Sequence, residues 1–400
     1  MLLSEHQRLA TPPRLTTLVI MASVGPLALN IFLPSLPTMT RHFQVEYSSI
    51  QLLLSVYMAA LAAVQLIVGP LSDRFGRRPV LIVSFIVFCL ATLGAIYAPN
   101  FQTMLLCRVA QASSAAGLVL SRAIIRDTAP TEDAASKIGY VTMAMSIVPM
   151  IAPFVGGSLD ERFGWQASFW FTLAFGLAAL AITWIDLAET NMAPSRSVGA
   201  QFRSYPQLLG SASFWGYSLT ATFASGVFFA FIGGAPYIST QMLGLSPSQY
   251  GLYFGVMAVG YMLGNFLSGR YSRAWGMNRM MLIGNLFSLG GVLASLALFS
   301  TGLVHPLSLF GPATFMGLGN GMTLPSANAG LVSVNPHLAG SASGLGGAMA
   351  MAGGAVLASS LLNPQSGPYP MLFVCLACAV ASIVTAKLAV RRPSRRGGLQ

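Results

Sequence analysis

The chain has 400 residues, of which 54% are apolar and only 8% are charged, and its mean hydropathy is +0.69. This composition excludes a soluble fold and is typical of a protein that crosses a membrane many times. The formal net charge of +11 could indicate a nucleic acid partner, but the basic residues lie in short connectors between apolar runs. We therefore interpret them as orientation charges that face anionic lipid, and we expect no nucleic acid partner.

The apolar runs predict an all-α membrane protein with twelve transmembrane helices. Pro and Gly punctuate the breaks between the runs. The segment 280–386 contains no Asp, Glu, Lys or Arg and is long enough for four spans. The predicted spans are 15–37, 47–72, 79–97, 101–124, 138–159, 165–187, 213–236, 248–269, 279–300, 305–330, 338–362 and 368–390.

The longest internal connector, 188–212, is polar and divides the chain into two halves of six spans. The halves also repeat, because 57–74 can be laid over 253–270, an overlay that pairs Arg74 with Arg270. In transporters built from parallel repeats, the substrate site lies between the halves. We expect two pseudo-symmetric six-helix bundles. The chain then divides into an N-terminal bundle 1–187, a cytoplasmic linker 188–212, a C-terminal bundle 213–390 and a basic cytoplasmic tail 391–400.

An even number of spans places both chain ends on the same side of the membrane. If that side is the cytoplasm, Arg41 and Arg162 alone among the 21 basic residues lie in outer loops, and Arg108 lies within span four. The reverse orientation would put almost every basic residue outside. The positive-inside rule therefore predicts that both termini are cytoplasmic.

A charged connector between spans two and three, 69–79, reads GPLSDRFGRRP. It combines one carboxylate, Asp73, with three arginines that include Arg77 and Arg78, and Gly76 permits a tight turn. A generic basic loop with no further role would satisfy the positive-inside rule equally well. The spacing resembles the loop 2–3 signature of the major facilitator superfamily, G-x-x-x-D-R-x-G-R-[RK].

Span four carries Arg108, Gln111 and Arg122 on one helical face. An arginine within a span is costly, so it must face a cavity or a partner. Two structural alternatives stay open: Arg108 as a donor to backbone carbonyls, and Arg122 as a snorkelling residue at the membrane surface. Arg108 followed three residues later by Gln111 resembles a second superfamily signature, whose arginine is linked to proton coupling. The resemblance also implies that Asp73, Arg77 and Asp127 form a charge relay that locks one state.

Span five contains Pro149 and Pro153 followed by Gly156 and Gly157. The prolines would kink the helix, and the glycines allow close packing, which by itself is a structural explanation. The pattern also resembles the antiporter signature G-P-x-x-G-G, with Ala152 in place of the first glycine. That signature belongs to exporters, so it carries the expectation of export.

Two further segments, LPSLP at 33–37 and AGSAS at 339–343, narrow the resemblance to the bicyclomycin and chloramphenicol resistance branch of the drug:proton antiporters. It covers essentially the whole chain and implies multidrug efflux through the bacterial inner membrane, by alternating access, with protons as counter-ion. The chain departs from the branch at Asn30, where an Asp is usual. Asn does not titrate, so coupling either lies at Asp73 and Asp127 or is absent from the centre. A third alternative is that Asn30 is an introduced substitution that holds one state.

We expect a cavity lined by spans 1, 4, 7 and 10 with parts of 2, 5, 8 and 11. For any single Phe or Met, helix packing is the alternative. The candidate lining residues are Asn30, Tyr57, Arg108, Gln111, Met143, Phe228, Phe231, Asn320 and Asn328. The candidate coupling and gating residues are Asn30, Asp73, Arg77, Arg78, Arg108, Asp127, Pro149, Pro153, Gly156 and Gly157.

The acidic residues near the spans lie at span ends, so a cation would have no embedded counter-charge, whereas Arg108 could meet a carbonyl or an anion. We therefore expect neutral or anionic small-molecule substrates. The alternative is a transporter of a physiological metabolite, sugar or siderophore.

A receptor without flux would need a soluble signalling domain, for which no stretch is long enough. We expect neither an enzyme nor a metal or cofactor, because the sequence has no Ser/His/Asp set, phosphate loop or metal cluster, and we expect a monomer.

Overall fold

The computed structural model describes residues 12–129, 131–191, 205–334, 338–359 and 367–390, and within these ranges the chain forms helices and turns without strands. The predicted tail 391–400 and most of the predicted linker lie outside the described residues. The first half contains α1 Leu15–Asn30, α2 Leu36–Phe43, α3 Tyr47–Ile50, α4 Leu52–Phe75, α5 Arg77–Ile96, α6 Phe101–Gln111, α7 Ala115–Thr128, α8 Thr131–Ser146, α9 Val148–Phe163 and α10 Gln166–Asp186. The second half contains α11 Tyr205–Leu209, α12 Ala212–Tyr237, α13 Pro247–Trp275, α14 Met277–Ser300, α15 Pro306–Ser333, α16 Ala339–Ser359 and α17 Tyr369–Val390.

Eleven helical stretches of the described chain are long and apolar enough to cross a membrane. Several of them join two helices, as where a 3₁₀ turn at Ala112–Ser114 connects α6 to α7. The remaining long helix, α15, is rich in Gly, Pro and Asn, which lowers its hydropathy, and most of its residues are buried between neighbours. With its 28 residues α15 completes the twelve spans. The predicted all-α membrane fold is confirmed.

Tight turns at residues with positive φ define the two ends of the bundle. Gly76 (φ 97°) and Gly276 (φ 81°) end α4 and α13 and start the next helices at one end, here called the Gly76 end. Gly164 (φ 81°) turns the chain at the opposite end, here called the Gly164 end. Positive φ favours glycine, which has no Cβ to clash.

The two glycine turns revise the overlay of the halves. They make Gly276 the counterpart of Gly76, so Arg74 corresponds to Ala274, about one helical turn beyond the Arg270 of the sequence overlay. Arg273 therefore stands in the second half where Asp73 stands in the first. A shift by one turn preserves the apolar pattern of a helix, which is why the sequence overlay missed it.

The halves contact each other at the Gly164 end. The Tyr47 hydroxyl and the Gln51 amide both donate hydrogen bonds to the Gly233 carbonyl, at 3.1 and 2.8 Å. The Ser248 backbone N–H donates to a Glu161 carboxylate oxygen at 2.9 Å, which joins α9 to the start of α13. These bonds close the Gly164 end between the two halves.

Candidate functional site

A cavity of about 270 Å³ lies between the halves. Its wall comes from α1, α4, α7, α8 and α9 of the first half and α12, α13, α15 and α16 of the second, which are the spans expected from the sequence. No Asp, Glu, Lys, Arg or His contributes to the wall within the described part of the chain. The lining residues include Gly25, Pro26, Leu29, Asn30, Leu61, Gln65, Ser114, Ala115, Leu118, Met145, Pro149, Met150, Ser225, Phe228, Phe229, Phe254, Met257, Ala258, Tyr261, Asn320 and Met351.

Glycines of α9 bring the two halves together next to the cavity. A Cβ added to Gly156 would collide with the Ile31 carbonyl oxygen, and one added to Gly157 would collide with the Pro247 carbonyl oxygen. Span five is interrupted at Ile147, so that α9 begins just before Pro149, which lines the cavity. Because small residues let backbones approach closely, this segment packs against both α1 and α13.

Arg108 is buried in the first half and does not reach the cavity wall. Its Nε donates to the Leu53 carbonyl at 3.1 Å, and its Nη1 donates to the Ala28 carbonyl at 3.2 Å and to Gln111 Oε1 at 2.8 Å. Gln111 in turn donates to Thr92 Oγ1 at 2.8 Å. The arginine thus ties α6 to α1 and α4, which matches the structural alternative that the sequence left open.

Aromatic rings complete the enclosure of this cation. The guanidinium carbon lies 4.2 Å from the centre of the Phe32 ring and 4.1 Å from that of Tyr57, where cation–π attraction stabilises it. The Tyr57 hydroxyl shares a hydrogen bond of 2.9 Å with Ser114 Oγ. Tyr57, Arg108 and Gln111 therefore form a buried network behind the wall, although the sequence placed them on it.

Of the remaining candidate lining residues, some line the cavity and others do not. Asn30, Phe228 and Asn320 line the cavity. Phe231 is buried against the Phe310 ring, with 5.9 Å between ring centres. Met143, with 61% of its surface exposed, and Asn328, also exposed, do not line the cavity.

The charged residues predicted to form a relay meet at the Gly76 end. Arg77 pairs with Asp73 on the preceding turn, and its Nε lies 3.0 Å from Asp127 Oδ2 on α7. Arg77 Nη1 also donates to Ser72 Oγ at 2.6 Å. Arg78 points elsewhere, because it donates to the Trp184 carbonyl on α10 at 3.0 Å. The cluster joins α4, α5 and α7.

The sequence did not reveal the structural role of Glu189, which follows α10. Its Oε1 accepts from the Arg77 backbone N–H at 2.8 Å and its Oε2 accepts from that of Arg78 at 3.1 Å, so Glu189 caps the start of α5. Thr190 and Asn191 add bonds to Asp127 Oδ2 and the Asp73 carbonyl. An acidic residue directly after span six was the available signal. The beginning of the expected linker therefore packs on the N-terminal half.

The fold and the cavity define a membrane transporter of two six-helix halves. The chain belongs to the Major Facilitator Superfamily, which it matches over residues 18–359. It is 28% identical to the chloramphenicol resistance protein of Pseudomonas aeruginosa, covering 92% of this chain and 88% of that protein. It is 28% identical to multidrug resistance protein D of Escherichia coli strain K12, covering 88% and 89%.

A solved structure confirms the architecture. A bacterial homolog of the human lysosomal transporter Spinster superposes with a TM-score of 0.71 at 18% identity, covering 94% of this chain and 95% of that one. At this identity the likeness shows the fold alone. The predicted family is confirmed by the family match and its resistance branch by the named relatives.

Proposed function

We propose that this chain exports small, uncharged, amphipathic molecules across the bacterial inner membrane by alternating access between its halves. The cavity between the halves carries this proposal, because its wall is apolar, rich in Met and Phe, and without a charged side chain among the described residues. Flexible methionines and aromatic rings provide adaptable surface for varied apolar ligands. The resistance proteins to which the chain is similar support a drug-like substrate.

The position of Arg108 bears on which substrate charge the cavity accepts. An anion in the cavity would need a counter-charge, yet Arg108 is 1% exposed and does not line the cavity. Its Nε and Nη1 donate to protein carbonyls, Phe32 and Tyr57 enclose it, and only its Nη2 is unpaired. A cation would also find no carboxylate on the wall. Since an unpaired charge within the membrane is costly, neutral molecules are favoured over both.

The two ends of the bundle supply the gates. The Gly164 end is closed by the bonds from Tyr47 and Gln51 to Gly233, so access to the cavity is from the Gly76 end. The basic connector at 69–79 supports a cytoplasmic position for the Gly76 end and for both termini. The cluster of Asp73, Arg77 and Asp127 then lies at the cytoplasmic gate, where its ion pairs hold α4, α5 and α7 together so that they move as one unit. A single chain encloses the cavity, which supports a functional monomer.

Asn30 makes proton coupling at the cavity unfavourable. Its Nδ2 donates to the Pro26 carbonyl at 2.8 Å. Because a carbonyl only accepts, this bond sets the orientation of the amide. The amide does not titrate, and the described wall holds no other group that does so near neutral pH. Export by this chain is therefore proposed to be weakly driven, or not driven, by a pH gradient.

Flux measurements in proteoliposomes test the proposal. We expect neutral amphipathic compounds to be transported in preference to carboxylates and quaternary ammonium compounds, with little effect of an imposed pH gradient. Ala258→Trp should abolish flux because it fills the cavity, whereas Val259→Trp, on the lipid-facing side of the same helix, should retain it. Tight competitive binding of a quaternary ammonium compound, or equal flux in both variants, would contradict it.

A further inference from the structure

Two carboxamides on the cavity wall, one from each half, carry polar atoms without hydrogen-bond partners in the described structure. Asn320 on α15 is 2% exposed, and both its Oδ1 and its Nδ2 lack a partner. Asn30 on α1 is 1% exposed, and its Oδ1 lacks one. Buried polar atoms are nearly always hydrogen-bonded, because leaving them unpaired costs free energy. On a cavity wall, such atoms can pair with water or with a ligand that enters the cavity.

The position of Asn320 on α15 directs it to the cavity. Gly317, Asn320 and Leu324 follow one another at helical spacing on one face, and all three line the cavity. On the adjoining face, a Cβ at Gly321 would collide with the Tyr261 carbonyl oxygen, so α15 is held tightly against α13. The backbone that presents Asn320 is therefore rigid, which suits a group that must recognise a ligand.

Two other polar groups on the wall already have partners. Ser114 Oγ is paired with the Tyr57 hydroxyl at 2.9 Å, and Asn30 Nδ2 is occupied by the Pro26 carbonyl at 2.8 Å. Gln65, the third carboxamide on the wall, is only half-buried, whereas Asn320 is buried with both its donor and its acceptor unpaired in the described structure. A carboxamide presents the two side by side on one edge.

We propose that Asn320 is a specificity-determining residue that holds the substrate by a pair of parallel hydrogen bonds. The ligand class is a neutral molecule with an N–H donor next to a C=O acceptor, as in a lactam, a cyclic imide or a primary amide. Asn30 Oδ1 accepts a further hydrogen bond from the opposite half, so that the bound ligand joins both halves. This inference rests on the proposed function, because it assumes that neutral ligands occupy this cavity.

The paired arrangement predicts a sharp chemical preference. Methylation of the ligand nitrogen removes the donor and leaves Asn320 Oδ1 unpaired, while the apolar part of the ligand is almost unchanged. Sites built around hydrogen bonds reject analogues that lack them, because the protein group is then buried without a partner.

The test uses the purified full-length chain and two probes, a phenyl-substituted δ-valerolactam and its N-methyl derivative, with affinity measured by calorimetry. We expect the lactam to bind at least about tenfold tighter than the N-methyl form. Asn320→Ala should weaken lactam binding by at least about tenfold and remove the preference, while the N-methyl form, which keeps only the bond to its C=O, should lose less affinity. Asn328→Ala, on the same helix but outside the cavity, is the control and should keep the preference.

A second readout separates recognition from a structural role. Because the amide atoms of Asn320 have no protein partner, Asn320→Ala should leave the melting temperature of the ligand-free protein unchanged or higher. A lower melting temperature, equal affinity for the two probes, or failure of the lactam to bind would overturn the inference. If the lactam preference holds while proteoliposomes show no flux of neutral compounds, the export proposal fails and the recognition by Asn320 stands.

Discussion

Arg108 lies against Tyr57, with 4.1 Å between the guanidinium carbon and the ring centre, and this contact keeps the only arginine near the middle of span four away from the cavity. The bonds to the Leu53 and Ala28 carbonyls hold it there. The residue that the sequence marked as a cavity charge is thus a connector of helices within one half. The cavity is left apolar as a result.

Arg108→Lys should destabilise the protein. An ammonium cannot reproduce the planar fork that serves two carbonyls and Gln111, nor its stacking between rings. We expect the free energy of unfolding in detergent to fall by about 3 kcal/mol. Arg122→Lys is the control, since Arg122 makes no hydrogen bond or ion pair within the described residues. Equal losses in both variants would refute the connecting role.

Asp127→Asn should loosen the segment after α10. Asp127 Oδ2 accepts from Arg77 Nε and from Thr190 Oγ1, at 3.0 and 3.3 Å. The carboxylates of Asp73 and Asp127 are both partly exposed, so we expect the free energy of unfolding to fall by only about 1 kcal/mol. Hydrogen exchange at 187–191 should accelerate more in Asp127→Asn than in Asp73→Asn, whose side chain does not contact that segment. The reverse order would contradict this account of the cluster.

Gly157→Ala should weaken the closed Gly164 end. The added methyl group would collide with the Pro247 carbonyl oxygen, so α9 and α13 must move apart, at about 1–3 kcal/mol. Labelling of a cysteine introduced at Ser248 should become faster. Gly290→Ala is the matched control, because no atom lies within 4 Å of its added Cβ. Unchanged labelling in Gly157→Ala would show that this glycine contact does not hold the end closed.

Asn30→Asp should make the protein sensitive to pH. A protonated acid can donate to the Pro26 carbonyl as Asn30 does, but an ionised carboxylate cannot, so ionisation removes the bond and leaves a buried charge. Thermal stability of the variant should therefore fall as pH rises, while that of the Asn30 protein changes little. Proton release on ligand binding should appear only in the variant. Strong release from the Asn30 protein would place coupling elsewhere.

The sequence by itself determined the features that depend on local chemistry. Long apolar runs predicted the spans because a membrane core leaves helices as the main option, and Gly76 marked its turn because few other residues accept positive φ. The meeting of Asp73, Arg77 and Asp127 was also predictable, since all three lie at span ends on one side of the membrane.

Only the tertiary structure decided which faces of the helices line the cavity. In a membrane both the lipid-facing and the protein-facing sides of a helix are apolar, so periodicity does not separate them. Tyr57 and Asn320 show this, since both are buried polar residues on long helices, yet one is bonded behind the wall and the other is unpaired on it. Neighbouring helices distant in sequence supply or withhold those partners. The role of Glu189 likewise depends on a contact with α5, more than 100 residues away in the chain.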